Sequence, residues 1–89
     1  MEIKQTCPCC GYKTFNEPYG SYNICPVCFW EDDLIQKEDP TYEGGANRVS
    51  LIQAQKNFLE FGACEPEMKH RVRKPAENEP KDENWQPLQ

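Results

Sequence analysis

Residues 7–30 read CPCCGYKTFNEPYGSYNICPVCFW. Cys7 and Cys10 are separated by two residues, as are Cys25 and Cys28, and 14 residues lie between the pairs. Two C-x2-C pairs at this distance are the arrangement that holds a tetrahedral metal ion with four thiolates. Two intervening residues let each pair close into a tight knuckle whose sulfurs converge. Pro8 and Pro26 follow the first cysteine of each pair and preset φ for that turn. Gly11 leaves the first knuckle and tolerates a positive φ, whereas Phe29 stands at the same place after the second. The second exit must therefore differ or accept strain.

Between the knuckles, Tyr12–Phe15 and Ser21–Ile24 have the aromatic and β-branched content of short strands. Asn16–Gly20 has turn chemistry. The expected unit is a hairpin carrying both cysteine pairs at one end, with Tyr12, Phe15, Phe29 and Trp30 shielding the sulfurs from water. Zinc suits four thiolates and leaves no open position for water, so the site reads as structural. Iron in a rubredoxin-like site is the alternative that the ligands do not separate. Cys9 is surplus and reads as a spare thiol, with substitution for a ligand as the other reading. Cys64 reads as a small buried hydrophobe and His70 as a solvent-facing residue.

The chain has 89 residues, a net charge of −5 and six cysteines. That is one domain at most, and one that needs a staple beyond its apolar core. Met1–Thr6 has no apolar signal core. No apolar run approaches the ~20 residues that span a bilayer. The expectation is a cytoplasmic, reducing setting, in which clustered cysteines bind metal rather than pair as disulfides. An acidic body disfavours nucleic acid as a partner.

Glu31–Gly45 reads mainly as loop, with Asp32 or Asp33 capping a short helical turn through Leu34–Gln36. The clearest helix is 51–61. Ser50 and Gln53 fit a capping box, Val49 and Ala54 a hydrophobic staple, and Gly62 a C-terminal stop. Leu51, Ala54, Phe58 and Phe61 recur at helical spacing, with Ile52 and Leu59 widening the face. Such a face serves either a partner or the core; a domain this small needs it for the core. Residues 1–64 thus form a zinc-knuckle domain. Residues 65–89 form a polar tail in which Pro66, Pro75, Pro80 and Pro87 prevent a long helix. The tail is extended or partly docked through Met68, Val72, Trp85 and Leu88, and an indole so near the end favours docking. The basic run Lys69–Lys74 is either folded over Glu31–Asp33 or solvated. Glu31–Asp33 reads as a solvated or capping segment, because no base or nucleophile beside it completes a catalytic set.

The fold class is therefore small α+β: a zinc-ribbon or rubredoxin-like knuckle hairpin, one C-terminal helix and an extended tail. Cys7–Tyr12, Ile24–Asp33, the stretch from Gly44–Asn47 into the helix, Arg73–Pro75 and Asn84–Pro87 together resemble the bacterial cysteine-rich CPCC family. The resemblance implies a small bacterial protein with a zinc site, of which the tail is a genuine part. It brings no enzymatic activity with it. The expected function is a non-enzymatic zinc-binding protein acting through an unidentified protein partner, with no membrane and no evident small-molecule substrate. A thiol redox protein using Cys7–Cys10 is a second reading. It lacks the helix start after the cysteines, and the βαβ context, that such proteins have. A nucleic-acid-binding zinc ribbon is a third, resting on the basic run alone.

Overall fold

A computed structural model describes residues 4–88. Met1–Ile3, half of the stretch read for a signal core, and the last residue of the tail lie outside it. The first knuckle is flanked by β1 (Gln5–Thr6) and β2 (Lys13–Phe15), which pair antiparallel with a bulge between Gln5 and Thr6. The second is closed by a single bridge, Ile24 to Glu31. Each knuckle therefore sits at the tip of its own small hairpin.

The expected strand at Ser21–Ile24 does not form. Gly20 and Tyr22 have φ of 94° and 62°, which turns the chain out of an extended path. The Gly20 and Ser21 amides donate to the Asp32 carboxylate, at 2.7 and 3.1 Å, instead of to a neighbouring strand. Only Ile24 is left to pair.

Asp33 caps α1 (Leu34–Glu38) by accepting from the Ile35 and Gln36 amides, and its other oxygen accepts from Ala46. A short helix of this kind owes its existence to the cap and to tertiary contacts. Gln36 supplies the contacts. It is fully buried and donates to the Asn47 and Val49 carbonyls at 3.0 Å, while its carbonyl accepts from Asn47. Asn47 in turn bonds both backbone groups of Glu31. This buried amide network fixes the loop between the helices, since each unpaired member would be costly.

The long helix α2 (Leu51–Phe61) has the expected bounds. Ser50 accepts from the Gln53 amide, and Gly62 closes the helix at φ 84° with its amide on the Phe58 carbonyl. The reciprocal half of the capping box is absent, because the Gln53 side chain turns to Asn57. Leu51 and Ala54 enter the core and Phe58 packs against it. Leu59 does not; it is 64 % exposed. Phe61 lies outside the core cluster, half-buried beside Val27 and Phe58.

The core is the cysteine cluster itself, with Phe15, Val27, Trp30, Leu51 and Ala54 around it. A 3-10 helix (Pro66–Arg71) then packs on α2, and Met68 reaches the core. From there the chain runs back over both knuckles. The Arg73 amide donates to the Pro26 carbonyl, and Lys13 and Asp82 exchange backbone bonds with Pro80 and Gly11.

Candidate metal centre

The sulfurs of Cys7, Cys10, Cys25 and Cys28 lie within 4.8 Å of one another, and all four residues are fully buried. The short contacts run between knuckles: Cys7 to Cys28 at 3.5 Å and Cys10 to Cys25 at 3.7 Å. None of the six cysteines is in a disulfide. A tetrahedral site with metal–sulfur bonds of about 2.3 Å sets its sulfurs about 3.8 Å apart, so the cluster has the size of a four-thiolate metal site.

The two knuckles are built alike. The Cys7 and Cys25 amides donate to the Tyr12 and Trp30 carbonyls, each at 2.9 Å. The Gly11 and Phe29 amides donate back to the Cys7 and Cys25 carbonyls at 2.8 and 2.7 Å. Gly11 and Phe29 both take left-handed φ, 81° and 72°. The second knuckle thus keeps the geometry of the first and accepts the strain of a side chain there, about 1–2 kcal/mol. At Gly11 no side chain fits, since a Cβ would lie 2.4 Å from the Trp85 ring.

In this correspondence Cys9 matches Val27. Both are buried, and Cys9 stands outside the four-sulfur set. Cys64 is buried beside the second knuckle, its amide on the Cys28 carbonyl. His70 is exposed and not in the set.

Burial pushes the Cys7 and Cys28 thiols well above the ordinary range, and it raises Cys9 and Cys64 too. Cys25 is driven down by hydrogen bonds from the Cys10, Cys28 and Cys7 sulfurs, helped by Thr14. Four thiolates in this space repel one another and have lost their water. A bound cation is what lets them all ionise, which is why thiolate sites release protons as they take up metal.

Thr14 was not legible as a site residue. Its buried hydroxyl donates to Cys25 Sγ at 3.1 Å. The sole hint in the sequence is its place on the strand leaving the first knuckle. Gln55 was equally hidden, and for Trp85 the sequence suggested docking but not the target. Both donate to the Pro8 carbonyl, at 2.7 and 2.8 Å, and hold the first knuckle from outside. Phe15 and Trp30 shield the cluster as buried residues, while Tyr12 and Phe29 pack on it half-buried.

Among the described residues no ion pair joins the acidic segment to the basic run. Asp32 and Asp33 are buried and accept backbone amides, rather than lying solvated. Among the described ion pairs the run has one, Arg73 to Glu79 at 2.7 Å. No helix among the described residues is long and apolar enough to cross a membrane.

No curated protein matches the chain. A family model does: that of the cysteine-rich CPCC proteins, over residues 5–79. The match runs from β1 to Glu79 and takes in both knuckles, Thr14, the Gln36–Asn47 network and α2, but stops short of Asn84–Pro87. With most of its length matched, the chain belongs to the bacterial cysteine-rich CPCC family.

Proposed function

We propose that this is a small zinc-binding protein whose four-cysteine centre is structural, and that it works by contact with another protein rather than by catalysis. One observation carries the reading. Four buried sulfurs converge from two like knuckles, which gives a complete tetrahedral donor set with no position left for water or substrate. The zinc-ribbon likeness of the fold follows from the same pairing of knuckles. The reducing cytoplasm fits six free thiols. A thiol redox mechanism would need an exposed sulfur in the Cys7–Cys10 segment, and Cys7, Cys9 and Cys10 are all buried, which weighs against that reading.

Elemental analysis of freshly purified protein tests the proposal. One zinc per chain is expected. Iron at the same stoichiometry would make the site rubredoxin-like, and a metal-free folded protein would end the proposal.

A further inference from the structure

Two surface patches are left unsatisfied by the fold, and each has what the other lacks. The first is a groove of about 300 Å³ between the end of α2 and the chain after the 3-10 helix. Its walls are mainly apolar, with Val27, Phe58, Phe61, Val72 and Pro75, and Arg73 and Lys74 also line it. Its surround is cationic. Lys69 and Lys74 are exposed and make no ion pair among the described residues. Lys69 lies over the Phe61 ring instead, at 5.5 Å. Arg73 alone is neutralised, by Glu79.

The second patch is the outer face of α1 and the turn after it. Gln36 occupies the inner face. Outside, Leu34 is 42 %, Ile35 62 % and Tyr42 43 % exposed. Glu38, Asp39 and Glu43 surround them, exposed and likewise without an ion pair among the described residues. An apolar ridge in an acidic setting is the complement of an apolar groove in a basic one. Within one chain the two do not pair. A protein of net charge −5 would repel its copy if that charge were evenly spread. Here the signs are segregated, so one orientation of two copies is attractive.

We propose that α1 of one copy docks in the α2–tail groove of a second copy. Ile35 and Leu34 enter between Phe58, Phe61 and Val72, and Glu38, Asp39 and Glu43 lie against Lys69 and Lys74. The contact joins two different surfaces and is therefore heterologous. It asks of the metal centre only that the chain be folded.

Sedimentation velocity on the metal-loaded full chain tests this. The average mass should rise with protein concentration at low salt, and less so at high salt. Two surface variants, Lys69→Glu with Lys74→Glu and Glu38→Lys with Glu43→Lys, should each weaken self-association by about tenfold or more. Mixed in equal amounts they should associate again, because the reversed face of one then meets the reversed groove of the other. Unchanged metal content and melting midpoint separate these effects from a failure to fold. A wild type that stays monomeric at low salt overturns the proposal and leaves the groove to an acidic segment of another protein. Association that neither variant weakens, or that mixing does not restore, overturns it as well.

Discussion

Cys9 and Val27 occupy the same place in two knuckles of one design, and that equivalence says what Cys9 is for. A position that the second knuckle fills with valine is expected to serve packing rather than coordination. Cys9→Val is expected to keep its metal in competition with a chromophoric chelator, whereas Cys10→Ser loses it. The reverse result would mean that the first knuckle uses other sulfurs. Thr14 belongs to the next ring of influence. Its hydroxyl places a hydrogen bond on the Cys25 sulfur inside a dry core. Partners of this kind hold a ligand in position and commonly command a 10- to 100-fold effect on metal affinity, roughly what Thr14→Val should lose in the same competition. The four clustered cysteines were legible because C-x2-C spacing is a local constraint. Thr14 was not, because a threonine on a strand looks the same whether its hydroxyl meets sulfur or solvent. Phe29 lies between these cases. Its conflict with Gly11 is visible in the sequence, but that the chain resolves it by strain, at φ 72°, is visible only in the fold.

Among the elements, α2 was the most legible because its two ends are marked by side chains acting on their own backbone: Ser50 at the start and Gly62 at the stop. Its interior was less so. Gln55 and Asn57 are buried because carbonyls of Pro8 and Cys64 await them, and Leu59 is exposed because nothing covers that side. Periodicity reports which face is apolar, not which distant polar group will need a partner. The strand expected at Ser21–Ile24 failed for the same reason. Its composition is right, but a carboxylate from beyond the second knuckle takes the amides of Gly20 and Ser21. The packing of α2 is measurable by truncation. Leu51→Ala, at a position 3 % exposed, should cost about 2–5 kcal/mol. Phe58 packs on the core while half-exposed, so Phe58→Ala should cost less, about 2 kcal/mol, or roughly 8–16 °C in melting midpoint. Both variants should retain their metal. An unchanged midpoint for Phe58→Ala would return that side chain to the surface.

Over the whole molecule, two features tie the chain together: the four-cysteine cluster, which on the proposed reading holds zinc, and the tail. A structural zinc site is worth ~10–16 kcal/mol of apparent binding energy, as much as the whole stability of an ordinary domain. Chelation should therefore abolish the tertiary near-ultraviolet signal, since the four sulfurs are also the centre of the core. The tail's docking was foreshadowed by Trp85, though not its target. It bonds the carbonyl of Pro26 through the Arg73 amide and that of Pro8 through the Trp85 indole, so one strap crosses both knuckles. Lys81 adds to it, lying 5.1 Å from the rings of both Tyr12 and Trp85. Two carboxylates hold this strap. Glu79 receives the Arg73 guanidinium on both oxygens, at 2.7 and 2.9 Å, and Asp82 receives the Thr6 hydroxyl at 2.5 Å. Arg73 holds Glu79 below the usual carboxylate range, and the Thr6 hydroxyl does the same for Asp82. A carboxylate whose pKa is depressed on folding contributes stability above its unfolded pKa and loses it as the pH falls through the folded one. The strap should therefore be secure at neutral pH and loosen in acid, below the ordinary range of Asp and Glu. Hydrogen exchange at the Lys13 and Asp82 amides, which bond across the strap, reads this directly. Glu79→Gln should lower their protection at neutral pH and flatten its dependence on acid, with the metal still bound. Protection equal in the two proteins, at neutral pH and in acid, would mean that Asp82 and the contacts of Lys81 and Trp85 hold the strap without the Glu79 carboxylate.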